Sequence, residues 1–320
     1  QEGISEIYGE GWRRYFERRS EDDSPDQLLN EELPSQLISL GRERVGDMFD
    51  AIMVDEGQDF SITALKSLRT YLRTDGEFLL VEDRFQDIYD RSEQKQDRSY
   101  SGLGFGPWFK LGGSYRLPGL LTEFLREFAS QRLPVDQELL PIVPDGQLEL
   151  DISPYDGRWK QVGEADFAST VVEEAFDIIR RDNKSELSIT DLTILVPSKA
   201  IGRDVVRLLE KNDMGVKAVT TFAVEGESYD KDRRLKLAFR KGRPGIKVTT
   251  PHSFKGWEAR LLVVGITRLR SRRDCTLFYA AMSRLKSHPK GSHLTVVSCD
   301  NGTAALGRAF STHKDLPRLA

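Results

Sequence analysis

Short, mainly apolar runs alternate with helix-length amphipathic segments along most of this chain. AIMV from Ala51, LTIL from Leu192 and LLVVG from Leu261 are examples of such runs. Strands that are apolar on nearly every residue are buried on both faces, which is typical of parallel sheets. The amphipathic segments between the runs supply the crossover helices that parallel strands need. The pattern therefore predicts an α/β fold with parallel sheets flanked by helices.

Length and composition favour two domains. The chain has 320 residues, of which 38% are hydrophobic and 31% charged, enough for one large domain or two of ordinary size. Cys275 and Cys299 lie far apart and outside any Cys/His cluster, so the sequence indicates neither a disulfide framework nor structural zinc. The formal net charge of −4 gives no overall indication of a nucleic-acid partner, although a local basic groove is compatible with it.

A segment rich in Pro, Asp and Gly, residues 133–158, predicts the connection between the two domains. The first domain then covers residues 1–132 and the second covers residues 159–320. No run of about 18 uncharged apolar residues occurs, and the N-terminus lacks the pattern of a secretory signal. We therefore expect no membrane partner and a cytoplasmic location.

Acidic pairs follow two successive apolar runs. Asp55 and Glu56 end the first run, and Glu82 and Asp83, followed by Gln86, end the next. Ligands of open α/β sheets bind beyond the carboxyl ends of the strands, so these groups are expected at one edge. Adjacent carboxylates there suit hydrated magnesium, with one anchoring the ion while the other orients and deprotonates a water molecule. The alternative for the first pair is capping of the following helix.

Three later stretches carry further polar groups. GGSYRLP places Tyr115 and Arg116 after a glycine-permitted turn, which pairs an aromatic face for a base with a guanidinium for a phosphate. TTPHSFKGWE places Glu258 on a strand-to-helix turn that Gly256 keeps open, and FYAAMSRLK sets Arg284 on a helix face. Each stretch is weak evidence by itself, whereas their order along the chain is specific.

These stretches, together with DEGQ and QDIY, resemble in order the motifs of superfamily 1 DNA helicases of the UvrD/Rep type. The resemblance covers about Met48 to Val297. It implies RecA-like parallel sheets flanked by helices, of the P-loop NTPase type, with the C-terminal part of a first lobe followed by a complete second lobe. It also implies ATP and Mg²⁺ as cofactors.

The resemblance implies a role for each matching residue of the first lobe. Asp55 would hold magnesium, and Glu56 would be the general base. Gln58 and Gln86 would sense the γ-phosphate.

Matching residues nearer the second lobe would complete the nucleotide site. Tyr115 would stack on adenine, and Arg116 would reach the γ-phosphate. Glu258 would bind the ribose, and Gly256 would approach the nucleotide. Arg284 would be an arginine finger supplied by the second lobe, which couples hydrolysis to closure of the cleft between the lobes.

The same resemblance implies contacts to single-stranded DNA. Tyr89, Thr250 and His252 match the positions that contact the strand, where backbone binding and aromatic stacking dominate. The basic run RLRSRRD, Arg268 to Asp274, is a further candidate for the nucleic-acid backbone, although charge runs are usually solvated faces. The expected partners are single-stranded DNA and other DNA-processing proteins.

The sequence also departs from the family pattern. It contains no G-x-x-x-x-G-K-[ST] loop, which removes the backbone cradle and the lysine for a triphosphate. In the family this loop precedes the DEGQ strand, so we expect the chain to be a fragment of a longer enzyme. Glu82 replaces a glycine, the residues after Tyr89 read DRS, and Ser283 replaces the usual threonine. The first two changes weaken the expected DNA contacts.

The expected function is therefore part of an ATP-dependent DNA helicase that moves 3′ to 5′ on single-stranded DNA. The residues present are expected to hydrolyse almost no ATP by themselves. One alternative is a catalytically silent nucleic-acid-binding or assembly module with a helicase-like fold. Another is an unrelated metal-dependent nuclease that uses Asp55, Glu56 and Asp83, but it leaves Arg116 and Arg284 without a role.

Overall fold

The computed structural model divides the chain into two compact units, residues 1–109 and 110–320. The residues that it describes are 27–43, 49–87, 100, 103–111, 114, 116–133, 140, 154–181, 189–211, 215–224, 229–239 and 243–312.

In the first unit, a helix connects two parallel strands. Strand β1 is Phe49–Val54 and β2 is Leu72–Leu80. Between them lies α2, Ile62–Arg69, which begins where the Ser61 side chain accepts a hydrogen bond from Ala64 N. A π-helical turn, Leu28–Glu32, precedes α1, Leu33–Glu43, and short 3₁₀ turns span Gly57–Asp59 and Arg84–Gln86.

The small sheet of the first unit has one covered and one open face. Val54, Leu80 and Leu65 of α2 form a buried cluster with Leu103. On the opposite face, Met53 and Leu79 are 76% and 53% exposed. Their alternation with buried residues follows directly from the two-residue period of a strand.

The second unit is built on a six-stranded sheet. Every neighbouring pair is parallel, in the order β3-β8-β7-β4-β6-β5. All six residues of β7 are buried, as expected for a central parallel strand. The strands are β3 Tyr155–Gln161, β4 Leu192–Leu195, β5 Ala218–Thr220, β6 Ile246–Thr249, β7 Leu261–Ile266 and β8 Ser292–Ser298.

Helices flank this sheet in two groups. Helices α4 and α5 pack on each other and on the apolar strands, and their side chains fill the main core. Aromatic rings of α3 contact those of α7 and α8, and both of these helices contact Trp159 of β3. The helices are α3 Gly119–Arg132, α4 Phe167–Arg181, α5 Lys199–Glu210, α6 Tyr229–Ala238, α7 Arg272–Met282 and α8 Ala304–Thr312.

This architecture confirms the predicted fold class, α/β with parallel sheets flanked by helices. The unit boundary lies earlier than the predicted domain boundary at residue 132. The reason is that α3 packs within the second unit, where Phe124 lies 4.9 Å from Phe310 and Phe128 lies 4.9 Å from Phe278, measured between ring centroids. Strand β3 also begins inside the predicted connection, at Tyr155.

In the part of the chain that the structure describes, no helix is long and apolar enough to span a bilayer.

Candidate functional site

The carboxyl ends of β1 and β2 meet at what we call the acidic edge, formed by Asp55, Glu56, Gln58, Asp83 and Gln86. The two strands run in register to their last residues, with Val54 opposite Leu80. The polar groups that follow each strand therefore lie side by side, as the sequence predicts. Helix capping is not the role of the acidic pair, since Ser61 caps α2.

Hydrogen bonds connect the two halves of the acidic edge. Gln58 Nε2 donates to Glu56 Oε2 over 2.6 Å, and Gln58 Oε1 accepts from Asp83 N over 2.9 Å. The Asp83 carboxylate in turn accepts from Phe85 N and from Gln86 Nε2, over 3.0 and 2.7 Å. Gln58 is buried, so its amide fixes the position of Glu56 relative to the second strand.

Backbone geometry sets the direction of the Glu56 side chain. Glu56 has φ 53° and ψ 42°, in the left-handed region that a non-glycine residue adopts at an energetic cost.

Gly57 passes so close to β2 that a Cβ would lie 2.4 Å from Leu80 Cδ1. Its amide donates to Val81 O over 2.8 Å. The glycine is therefore required by the close approach of the two strand ends.

Asp55 offers a carboxylate for a metal ion. The side chain is exposed, and its Oδ1 accepts from Glu56 N over 2.8 Å. Among the described residues, no group of three or more His, Cys, Asp or Glu side chains is arranged to hold a metal ion. This donor set fits a magnesium ion that keeps its waters and brings phosphate ligands with it, rather than an ion held in an all-protein cage.

In the second unit, three distant stretches meet at the Glu258 cluster, which consists of Arg116, Glu258, Ser283 and Lys286. Arg116 Nη1 lies 3.4 Å from Glu258 Oε1, and Arg116 Nη2 donates to Ser283 O over 3.4 Å. Lys286 Nζ lies 3.3 Å from Glu258 Oε2. The two carboxylate oxygens of Glu258 therefore face two different cations.

Backbone hydrogen bonds hold the Glu258 cluster together. Ala259 N donates to Arg284 O and Lys286 N donates to Ala259 O, both over 2.9 Å, which forms an isolated parallel bridge. Ser287 N donates to Arg116 O over 2.7 Å. The segment after α7 thus fixes the positions of Arg116 and of the residue after Glu258.

The sequence predicted Arg284 on a helix face, and this prediction is wrong. Helix α7 ends at Met282 with Ser283 as its C-cap, and Arg284 belongs to the turn that follows. Its side chain is buried, and Nε donates to Ala280 O over 3.1 Å. The helix stops one turn early because Ser283 Oγ and the backbone of this turn bond back to the last carbonyls of α7.

The predicted DNA-contacting turn follows β6. Thr250 N-caps the 3₁₀ turn Pro251–Phe254, with its Oγ1 accepting from Ser253 N over 3.4 Å. Gly256 has φ +79°, and a Cβ there would have no heavy atom within 4 Å. A glycine at position 256 therefore allows the positive φ and leaves the surface open, and close packing does not require it.

A cavity of about 390 Å³ lies beyond the carboxyl ends of β4, β6 and β7. Pro197, Pro251, His252, Arg268 and Phe278 are among the residues that line it. The predicted basic run thus reaches this cavity through Arg268, whose Nε also lies 3.4 Å from the Asp274 carboxylate. This ion pair partly neutralises the run, which lowers its attraction for a phosphate backbone.

Burial lowers the pKa of His252, and the nearby Arg273, Lys236 and Lys255 lower it further. The folded protein therefore binds fewer protons than the unfolded chain just below the ordinary histidine pKa of about 6.5. The stability due to neutral His252 is fully present above about pH 6.5 and is lost as the pH falls through the folded-state pKa.

We expect the His252→Gln variant to lose less stability than the native chain as the pH falls from about 7 to 5, because Gln carries no titrating proton. Urea unfolding across this pH range measures the difference. His288, whose pKa is also lowered by burial, stays in both proteins and cancels. Equal pH slopes for the two proteins would contradict the prediction.

Two predicted site residues, Tyr89 and Tyr115, lie outside the described residues. Asp55, Glu56, Gln58 and Gln86 meet in the first unit, and Arg116 and Glu258 meet in the second. Sequence reasoning did not identify Lys286, although it stands two residues after the predicted finger arginine.

Comparison with protein-family models gives no match, and comparison with curated proteins gives none either. Among solved structures, the C-terminal domain of a possible DNA helicase from Lactobacillus plantarum WCFS1 overlaps 62% of this chain and 97% of its own, with 17% identity and a TM-score of 0.37.

Two S. cerevisiae Dbp5 structures overlap 88% of this chain, which spans 61% of each Dbp5 chain. One is a Dbp5 variant bound to a Gle1 variant and IP6, with 13% identity and a TM-score of 0.48. The other is Dbp5 bound to RNA and ADP BeF3, with 13% identity and a TM-score of 0.44.

Proposed function

We propose that this chain forms part of an ATP-dependent DNA helicase that moves along single-stranded DNA. The observation that carries the proposal is the Glu258 cluster. Arg116 reaches Glu258 across a sequence separation of 142 residues and Ser283 across 167 residues. The three residues belong to separate motifs of the resemblance, and the Arg116 guanidinium lies 3.4 Å from both Glu258 Oε1 and Ser283 O.

The residues of the acidic edge fit the metal and base roles. Asp55 would hold magnesium through its exposed carboxylate, and Glu56, fixed by Gln58, would accept the proton of the attacking water. Gln86 would contact the γ-phosphate from the same edge. Magnesium-bound ATP supplies the phosphoanhydride bond that is hydrolysed.

The second unit would contribute the positive charge and the ribose contact. Glu258 would bind the ribose beside the open backbone of Gly256. Arg116 and Arg284 would stabilise charge on the transferred phosphoryl group. Tyr115 would stack on the adenine.

Single-stranded DNA would bind at Thr250 and His252, with Tyr89 as a contact from the first lobe. The open turn after β6 and the adjoining cavity support this part of the proposal. Movement from 3′ to 5′, a cytoplasmic location and association with other DNA-processing proteins complete the proposed function.

A catalytically silent nucleic-acid-binding module is the second candidate. The observation that favours it is the lack of a G-x-x-x-x-G-K-[ST] loop in the 320 residues. The nuclease alternative is disfavoured, because it leaves Arg284 and the contact of Arg116 with Glu258 without a role.

Arg116→Ala in the longest natural chain that contains these residues is expected to lower DNA-stimulated ATP turnover by about 10²–10³-fold, because a charge that stabilises the transferred phosphoryl group is removed. Phosphate release with and without a thymidine oligonucleotide measures it. The 320-residue chain alone is expected to show almost no turnover, since it lacks the phosphate loop.

Arg243→Ala is the matched control, because Arg243 is an exposed arginine of the same unit that donates to Ala238 O. Its turnover should equal that of the native chain. DNA binding without any turnover in the native chain would favour the silent module. Turnover by the 320-residue chain that Glu56→Gln abolishes would show that the missing loop is not required.

A further inference from the structure

Lys286 stands beside Glu258 without any assigned role. Its Nζ lies 3.3 Å from Glu258 Oε2, while Arg116 occupies the other carboxylate oxygen at 3.4 Å. The side chains of Glu258 and Lys286 are 32% and 52% exposed, so water screens the pair and its value to stability is small. A contribution to folding is therefore not the reason to expect an effect of Lys286.

The proposed function gives Arg116 a partner other than those it contacts here, the transferred phosphoryl group. Its guanidinium contacts Glu258 and the carbonyl of Ser283 in this structure. A guanidinium that turns to a phosphate loses its alignment with the carboxylate, because its donors form a rigid planar fork. Glu258 then depends on its second cation.

Lys286 can remain beside Glu258 when Arg116 turns from the carboxylate to the phosphate. Lys286 N donates to Ala259 O, and Ala259 N donates to Arg284 O, both over 2.9 Å. Lys286 O also accepts from Ser292 Oγ over 2.7 Å, at the start of β8. These backbone contacts fix the distance between the Cα atoms of Lys286 and Glu258, whatever Arg116 does.

We propose that Lys286 is a positioning residue that holds the Glu258 carboxylate in its ribose-binding orientation when Arg116 moves to the phosphate. This inference rests on the proposed function and deepens it, since it names the group that sets ribose selectivity. A lysine suits the role because its single ammonium group follows the carboxylate without requiring a planar match.

The first test compares ATP with 2′,3′-dideoxy-ATP in the longest natural chain. Lys286→Met should raise KM for ATP about fivefold, the value of roughly one hydrogen bond, with kcat unchanged. KM for the dideoxy nucleotide should not change, because it has no ribose hydroxyl for Glu258 to bind. Lys286→Arg should restore most of the preference for ATP over the dideoxy nucleotide. Lys290→Met is the control, because Lys290 is an exposed lysine of the same unit.

The second test needs no turnover and uses the 320-residue chain. Reductive methylation with ¹³C-formaldehyde gives an NMR signal for each lysine, and the signal that Lys286→Arg removes is that of Lys286. Glu258→Gln should shift this signal because the facing carboxylate is lost, while the Lys290 signal stays in place. An unmoved Lys286 signal would overturn the inference.

The outcomes separate the inference from the proposed function. A native chain that turns over ATP and prefers it to the dideoxy nucleotide, but is unaffected by Lys286→Met, overturns the inference alone. Equal losses for both nucleotides also overturn it, because they indicate a general structural effect. A native chain without nucleotide turnover overturns the proposed function and the inference with it.

Discussion

Glu56→Gln in the longest natural chain is expected to lower ATP turnover by about 10²–10⁴-fold, the usual contribution of a general base. The substitution removes only the basicity, because a Gln side-chain oxygen can still accept the hydrogen bond that Gln58 Nε2 donates over 2.6 Å. Gln also keeps the shape and backbone preferences of Glu at a position with φ 53°. The loss should appear in kcat and should leave nucleotide binding nearly unchanged.

Glu77→Gln is the matched control for this variant. Glu77 is an exposed residue of β2 in the same unit, and the substitution makes the same change of charge. Phosphate-release kinetics under saturating ATP and DNA compare the three proteins. Near-native turnover of the Glu56→Gln protein would show that another group accepts the proton.

Asp300→Ala is expected to lower the free energy of unfolding of the second unit by about 2–3 kcal/mol, through the loss of an acceptor for two backbone donors. Asp300 Oδ2 accepts from Leu269 N and Oδ1 accepts from Gly302 N, each over 2.9 Å. The residue is 4% exposed, and water cannot easily replace the carboxylate. The side chain joins the loop after β7 to the turn after β8.

The pH dependence of this effect follows from the same contacts. The hydrogen bond from Leu269 N, together with that from Gly302 N and the charge of Arg270, lowers the pKa of Asp300. A lowered carboxyl pKa contributes stability that is present above the unfolded value, 3.8, and is lost as the pH falls through the folded pKa. The difference in the free energy of unfolding between the native and Asp300→Ala proteins should therefore be largest at pH 7 and become smaller in acid.

Urea unfolding at several pH values measures this difference. Asp204→Ala is the control, since the Asp204 side chain is 60% exposed and pairs with Arg207 on the surface of α5. Its effect should stay below about 0.5 kcal/mol. An Asp300→Ala protein as stable as the control would show that the carboxylate does not hold these loops.

Elements with strong apolar periodicity were predictable from the sequence. All six residues of β7 are buried, and α5 is an amphipathic helix. The structure places both elements where the sequence pattern indicates. Strand β3 was missed because YDGRWKQ is mostly polar. It lies at the sheet edge, where Arg158 pairs with Asp156 and with Asp177 of α4, at 3.1 and 3.3 Å. Ion pairs across elements leave no periodic signal in the sequence.

The residue pattern predicted the candidate site where it follows strand ends, whereas the meeting of Arg116 with Glu258 was implied by the motif resemblance. The acidic pair after β1 and the polar residues after β2 had to meet once the strands were taken as parallel neighbours. The position of Lys286 beside Glu258 depends on a bridge between Ala259 and Leu285, which no local pattern encodes. Asp300 had a usable signal, because Asp followed two residues later by Gly is typical of a side-chain-capped turn.

The bridge between Ala259 and Leu285 also predicts how mutational effects will combine. Residues joined through one short piece of backbone cannot shift independently, so a change at any of them is transmitted to the others. Paired substitutions among Arg116, Glu258 and Lys286 should therefore deviate from the sum of the single effects. Pairs that include Asp204, whose ion-pair partner is Arg207 on α5, should be additive. Thermodynamic cycles would then assign these positions to a single energetic unit, although they are spread over 170 residues of chain.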